Sequence, residues 1–174
     1  MGDLIHKSKV VPFLGKNGVT PDWTQIKKST TFTLALNPQT KTFDFISDEQ
    51  PTEEIESYQP NLAQSLTMFK DEPDYEQIFE MVDELPTGEA AHRPVLVVFY
   101  KHTATYTDSG TEKTVYKAWK VDALVKLNQM DTVNENIDFD LGFNNRERGA
   151  VEIVNGKPSF IKGTINNGTF TPAE

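Results

Sequence analysis

Much of this chain alternates between apolar and polar positions. Phe32, Leu34 and Leu36 alternate with Thr31, Thr33 and Ala35, the period of two that marks a half-buried strand. Residues 37–40, Asn-Pro-Gln-Thr, read as a turn, and Phe43 and Phe45 start a return strand, so a hairpin is expected here. Leu62, Leu66 and Met68 predict a further strand over residues 61–69. The period then lengthens. Tyr75, Ile78, Phe79, Val82 and Leu85 recur at three and four residues, which predicts one amphipathic helix over about residues 73–85. Pro73, behind Asp71 or Glu72, suits its first turn, and Pro86 and Gly88 end it.

Two unusually long extended segments follow, about residues 95–128, joined by a polar turn at 107–112. The first opens on an unbroken apolar run, residues 95–100; the second alternates Val121, Ala123, Val125 and Leu127 with Asp122, Leu124 and Lys126. Strands usually run about five or six residues, so this hairpin is expected to project beyond its core or to pair with something else. Its tip, residues 106–115, is a candidate contact arm and, with the termini, a flexible part of the chain. Further on, Ile137, Phe139, Leu141 and Phe143 alternate with Asp138, Asp140 and Gly142 before a turn expected at 144–149. Asn155-Gly156 joins two more strands, and Asn167-Gly168 marks a last turn. The pattern predicts a mainly β fold with one helix. At 174 residues it is expected to be a single domain over residues 1–174.

Charge changes this picture because it is unevenly placed. Residues 1–43 carry six Lys against two Asp, a net of +4; residues 44–100 carry fourteen acids against two bases, a net of −12; residues 101–174 carry nine bases and ten acids. Such polarity favours head-to-tail contact between copies and sets partner choice more than affinity. A solvated acidic surface is the plainer alternative. An acidic chain with pI near 4.8 is poorly suited to gripping nucleic acid by neutralising phosphates. Its longest apolar run falls far short of the roughly 20 residues a membrane helix needs. The N-terminus lacks the apolar stretch of a secretory signal, so the chain is expected to be cytosolic when made. With no cysteine, disulfides and thiolate chemistry are excluded.

The candidate chemistry is thin, and no catalytic residue, cofactor or metal is assigned. His6, His92 and His102 have no metal-ligand spacing. Asp48, Glu49, Glu53 and Glu54 offer the hard oxygens that suit calcium, without the loop pattern of an EF-hand. Carboxylate pairs such as Asp44 with Asp48 or Glu49 could in principle serve a hydrolase, but with 26 acids some pair always exists. No glycine-rich phosphate loop precedes the helix.

Residues 43–88 carry a further signal. They run from a strand ending at Phe45-Ile46 through an Asp-Glu-x-Pro-Thr loop at 48–52 to a Tyr-x-Pro-x-Leu-x-Gln-x-Leu strand at 58–66. A Pro-Asp-Tyr helix start at 73–75 and a Leu-Pro-Thr-Gly stop at 85–88 complete the run. This order resembles the central segment of major tail tube proteins of long-tailed, siphovirus-like phages and prophages of Gram-positive bacteria. The resemblance implies an antiparallel β-sandwich or barrel with one flanking helix, and a structural virion protein rather than an enzyme, made in the bacterial cytoplasm and located in the virion tail. It implies stacked hexameric rings forming a tube, through which DNA passes during ejection without specific binding. Partners would be copies of itself, possible tail partners being tape-measure, tail-terminator and distal tail proteins; no membrane is involved. On that reading Asp48, Glu49, Glu53, Glu54, Asp108, Ser109 and Glu112 are inter-subunit contact candidates. Asp138 and Asp140, on one face of a strand, are candidates for lumen-facing charge. A non-phage β-sandwich interaction or adhesion module is the alternative, and a carboxylate-based hydrolase the third.

Overall fold

A computed structural model describes residue 2, residues 4–16 and residues 22–174. In chain order the strands are β1 (Val10–Leu14), β2 (Thr24–Gln25), β3 (Ser29–Ala35), β4 (Pro38–Phe43), β5 (Thr52–Tyr58) and β6 (Asn61–Thr67). Helix α1 (Pro73–Glu84) precedes β7 (His92–Asp108), β8 (Thr111–Asp131), β9 (Asn136–Val154), β10 (Lys157–Asn166) and β11 (Thr169–Pro172). The mainly β architecture with one flanking helix is as the alternation predicts.

The spine is the antiparallel trio β7, β8 and β9, of 17, 21 and 19 residues. Each serves two halves of the molecule. In one half β10 pairs β9, β11 pairs β10, and β11 returns to β7 through a parallel contact at Thr169 and Thr105, closing a barrel. In the other half β1 and β2 extend the sheet from β7, while β6 and β3 extend it from β9. Register shifts in β7 between Phe99 and Thr103, and in β8 between Lys120 and Asp122, mark the bends that strands this long need.

The apolar run of β7 is buried on both faces. Val95 and Val97 join the main core with Leu14, Leu62, Leu66, Phe139 and Leu141, whereas Leu96 and Val98 pack with Val11, Phe13, Ala118 and Val151. Helix α1 completes the main core with Ile78 and Met81. Its expected apolar face is only partly right: Phe79 and Leu85 are exposed, and Met81, two turns from Pro73, is buried in place of Phe79. Leu85 takes a left-handed conformation (φ 46°) and donates its N–H to the Met81 carbonyl, so the helix ends just before Pro86. Asp74 is not simply a favourable charge at a helix N-terminus. Its buried carboxylate accepts the Lys27 and Lys28 backbone N–H groups at 3.0 and 3.2 Å, and Gln77 donates to the Gly15 carbonyl at 3.0 Å. The helix is thereby fastened to the segments flanking β2.

Two expectations are corrected. β3 does not turn back onto the Phe43–Phe45 stretch; it pairs with β6, and β4 pairs with β5. Period two marks a strand but not its partner, and β6 offers Leu62 and Leu66 on the core face where β4 offers mostly polar side chains. The turn expected at 144–149 is also absent, since β9 runs through it. Asn145 (φ 49°) marks a local irregularity rather than a reversal. Gly149 is there for closeness, because a Cβ would run into the Ile161 carbonyl and the Phe160 ring. The Asn155-Gly156 and Asn167-Gly168 turns both carry positive φ at each residue, as tight hairpins require.

Candidate assembly surface

Strands β4 and β5 form their own two-stranded sheet, separate from the barrel. Every residue of β5 is exposed, and of β4 only Phe43 is half-buried. Six or seven residues per strand make an arm about 20 Å long. Its stiffening is local and modest: Phe43 and Phe45 stack with ring centroids 5.6 Å apart, Lys41 Nζ lies 5.1 Å from the Phe43 ring, and Lys41 pairs with Glu56 at 3.8 Å. An exposed ion pair of this kind contributes about 0–1 kcal/mol, and a lone hairpin in water is marginal. At its root, Asn37 and Gln59 hydrogen-bond to each other through backbone and side chain.

The arm carries four of the predicted site residues. Asp48 and Glu49 lie in the tip connection, and Glu53 and Glu54 lie on β5 opposite Thr42 and Lys41. Apolar groups accompany them in water: Ile46 is fully exposed, and Phe45, Ile55 and Tyr58 are each more than half exposed. The arm therefore exposes acids interleaved with uncovered aromatic and aliphatic side chains, a mixture that charge alone does not produce.

At the arm's root a cavity of about 460 Å³ is lined by Leu36, Tyr58, Pro60, Trp119, Phe143 and Arg146, among others. Trp119 is held edge-on to Phe99 at 5.2 Å, and the Arg146 guanidinium lies 4.7 Å from its ring centroid. The irregularity at Asn145 brings Arg146 to this place, a contact that the sequence pattern did not show.

The other predicted residues lie elsewhere. Asp108, Ser109 and Glu112 sit at the β7–β8 turn. The far end of that hairpin packs into the closed half of the barrel, where Ala104 and Val115 are buried and Tyr106 meets Phe170 edge-on at 5.4 Å. Only the turn itself stands out, with Ser109 in a left-handed conformation (φ 50°). Asp108 pairs with Lys113 at 3.3 Å, and Lys113 also reaches Glu152 at 3.4 Å. The hydrogen bond to Asp108, and then the charge of Glu152, raise the Lys113 pKa above 10.5. Asp138 and Asp140 share the face of β9 opposite Ile137, Phe139 and Leu141. Gln129 donates to Asp138 at 2.6 Å and Asn128 to Asp140 at 3.4 Å. At the β8–β9 turn, Asp131 accepts backbone and side-chain bonds from Asn134 and a backbone bond from Val133, which lower its pKa.

Among the described residues, no three His, Asp or Glu side chains gather as ligands for a metal ion, and no helix is long and apolar enough to cross a membrane. His92 Nδ1 lies 3.1 Å from Asp122 Oδ2, a pair that bridges β7 and β8.

No protein-family model matches the chain, and no curated protein matches it. Among solved structures it is similar to the anti-feeding prophage cap, the tube-terminating cap, at a TM-score of 0.50 and 12% identity, over 84% of this chain and 91% of that one. That likeness concerns the fold. Two further structures show weaker likeness. A chain of the sheath-tube complex of the PVC extracellular contractile injection system gives 0.48 at 11% identity, over 85% of this chain and 93% of that one. A chain of the anti-feeding prophage baseplate gives 0.44 at 10%, over 85% and 97%.

Proposed function

We propose that this chain is a structural subunit of a phage-tail-like tube, which joins copies of itself into hexameric rings that stack around a lumen and conduct DNA during ejection. The observation that carries the reading is the β4–β5 arm, an acidic hairpin with uncovered apolar side chains, standing out from a barrel whose fold is similar to that of a tube-terminating cap. The motif order of residues 43–88 supports the same reading. Within the assembly Asp48, Glu49, Glu53 and Glu54 meet a neighbouring subunit, and the exposed Ser109 and Glu112 of the β7–β8 turn give a second, smaller contact. The outer edge of β3, which among the described residues pairs only with β6, is available to a neighbouring sheet. Asp138 and Asp140 line the lumen, where negative charge repels phosphates and lets DNA slide. Tape-measure, terminator and distal tail proteins are the heterologous partners of such a tube.

The likeness to a cap favours a second reading, in which the chain ends a tube rather than builds it. Electron microscopy of concentrated protein separates the two. Stacked rings or tubes support the subunit, and single rings that never stack support the cap. Protein that stays monomeric at every concentration and salt condition overturns both.

A further inference from the structure

In the half of the barrel that backbone pairing does not close, residues of β1, β2 and β3 line an open slot of about 800 Å³. Val10, Pro12 and Phe32 give it apolar walls, Lys7 and Lys27 give it positive charge, and Gln64 of β6 also lines it. Gln64 is the unusual member. It stands on the core face between Leu62 and Leu66, is 3% exposed, and neither its amide oxygen nor its nitrogen has a hydrogen-bond partner among the described residues. A buried amide in this state destabilises the isolated chain and is satisfied by a visitor that brings a donor and an acceptor. A polypeptide backbone brings both.

The arm tip is the complementary object. Ile46 is fully exposed, Phe45 is half uncovered, and the acids Asp44, Asp48 and Glu49 form no ion pair among the described residues. We propose that the slot receives the tip of the arm from a second copy of this chain. Phe45 and Ile46 cover the apolar walls, the tip backbone meets the Gln64 amide, and Asp44 and Asp48 face Lys7 and Lys27. The inference rests on the reading that copies of the chain associate, and adds where on the neighbour the arm docks. It also accounts for the charge split of the sequence, since the slot's lysines belong to the basic first segment and the tip to the acidic second.

The test places photo-cross-linking p-benzoylphenylalanine at position 46 of the full chain and mixes it with isotopically labelled wild-type chain. Cross-links to labelled peptides containing Phe32 or Gln64 are expected. Cross-links to the Trp119 and Arg146 cavity, to a sheet edge or to the β7–β8 turn overturn the slot and leave self-association standing. A sample that sediments as monomer and gives no cross-link between copies overturns both. Gln64→Leu adds a second readout. It removes the orphan amide, so the melting temperature should rise while slot cross-linking falls about tenfold, the scale of one hydrogen bond. A rise in melting temperature with unchanged cross-linking assigns Gln64 to packing alone and overturns its part in docking.

Discussion

Two hairpins of this molecule obey the same backbone rules and end in opposite environments. β7–β8 is long, and its middle is packed against an apolar cluster on each face. β4–β5 is short, acidic and exposed along nearly its whole length. Strand length therefore says little about which element reaches outward. Burial of both faces explains β7–β8 without any partner, whereas β4–β5 leaves Ile46, Ile55 and Tyr58 in water with no reward inside its own chain. On the function proposed above, folding belongs to one hairpin and association to the other.

The sharpest way to break that division is to remove the arm. Replacing residues 38–58 by a short glycine-serine link between Asn37 and Gln59, which already hydrogen-bond across the root, should abolish self-association. Because so little of the arm is buried, the melting temperature should shift by only a few degrees. Calorimetry alongside sedimentation velocity reads both quantities. A collapse of the fold would show that the arm supports the barrel.

Changes in the barrel should do the reverse. Gly149→Ala forces a methyl against the Ile161 carbonyl and the Phe160 ring, and overpacking of this kind costs about 1–3 kcal/mol, more where backbone must move. Asp74→Ala strips the acceptor from the Lys27 and Lys28 N–H groups, a loss of about 1–3 kcal/mol. In a chain of this length each kcal/mol lowers the melting temperature by about 2–4 °C. Below the new melting temperature both variants should still associate. Loss of association in the folded state would mean that the barrel and arm are not separable.

The smallest expected effect lies at the β7–β8 turn. Lys113 has a raised pKa through Asp108 and Glu152, so its contribution is complete below the unfolded value of about 10.5 and fades as pH rises through the folded one. Tyr100, raised by burial and then by Tyr116, loses stability in the same alkaline direction. The difference between wild type and Lys113→Met isolates the lysine: the variant should show a shallower loss above pH 10.5 and unchanged association at neutral pH. Chemical denaturation at several pH values measures it.

What was legible in the sequence follows from these contrasts. Helix α1 was readable because a change of period, Pro73 and Pro86 act locally. The long strands are readable because of the unbroken apolar run at 95–100 and the apolar row Val121, Ala123, Val125 and Leu127 at a period of two. Pairing was not readable, since Phe43 and Phe45 suit a return strand whether its partner is β3 or β5. β9 reads from sequence as two strands because its Asn-Asn-Arg-Glu-Arg-Gly stretch has turn composition, while in the fold Gly149 lets Phe160 approach. Asp74 was hidden among fourteen acids, and only tertiary contact separates the one that holds backbone amides from those that face water. Gln64 left a signal that could have been found, a polar residue in the core register of Leu62 and Leu66.

Hydrogen exchange on the intact chain, dilute and then assembled, tests the division between the hairpins most directly. In dilute protein the β4–β5 amides should exchange almost unprotected while β7–β8 is strongly protected. On assembly, protection should rise most across residues 38–58. An arm that stays unprotected in the assembled state, with new protection confined to the β7–β8 turn or the outer edge of β3, would contradict the account.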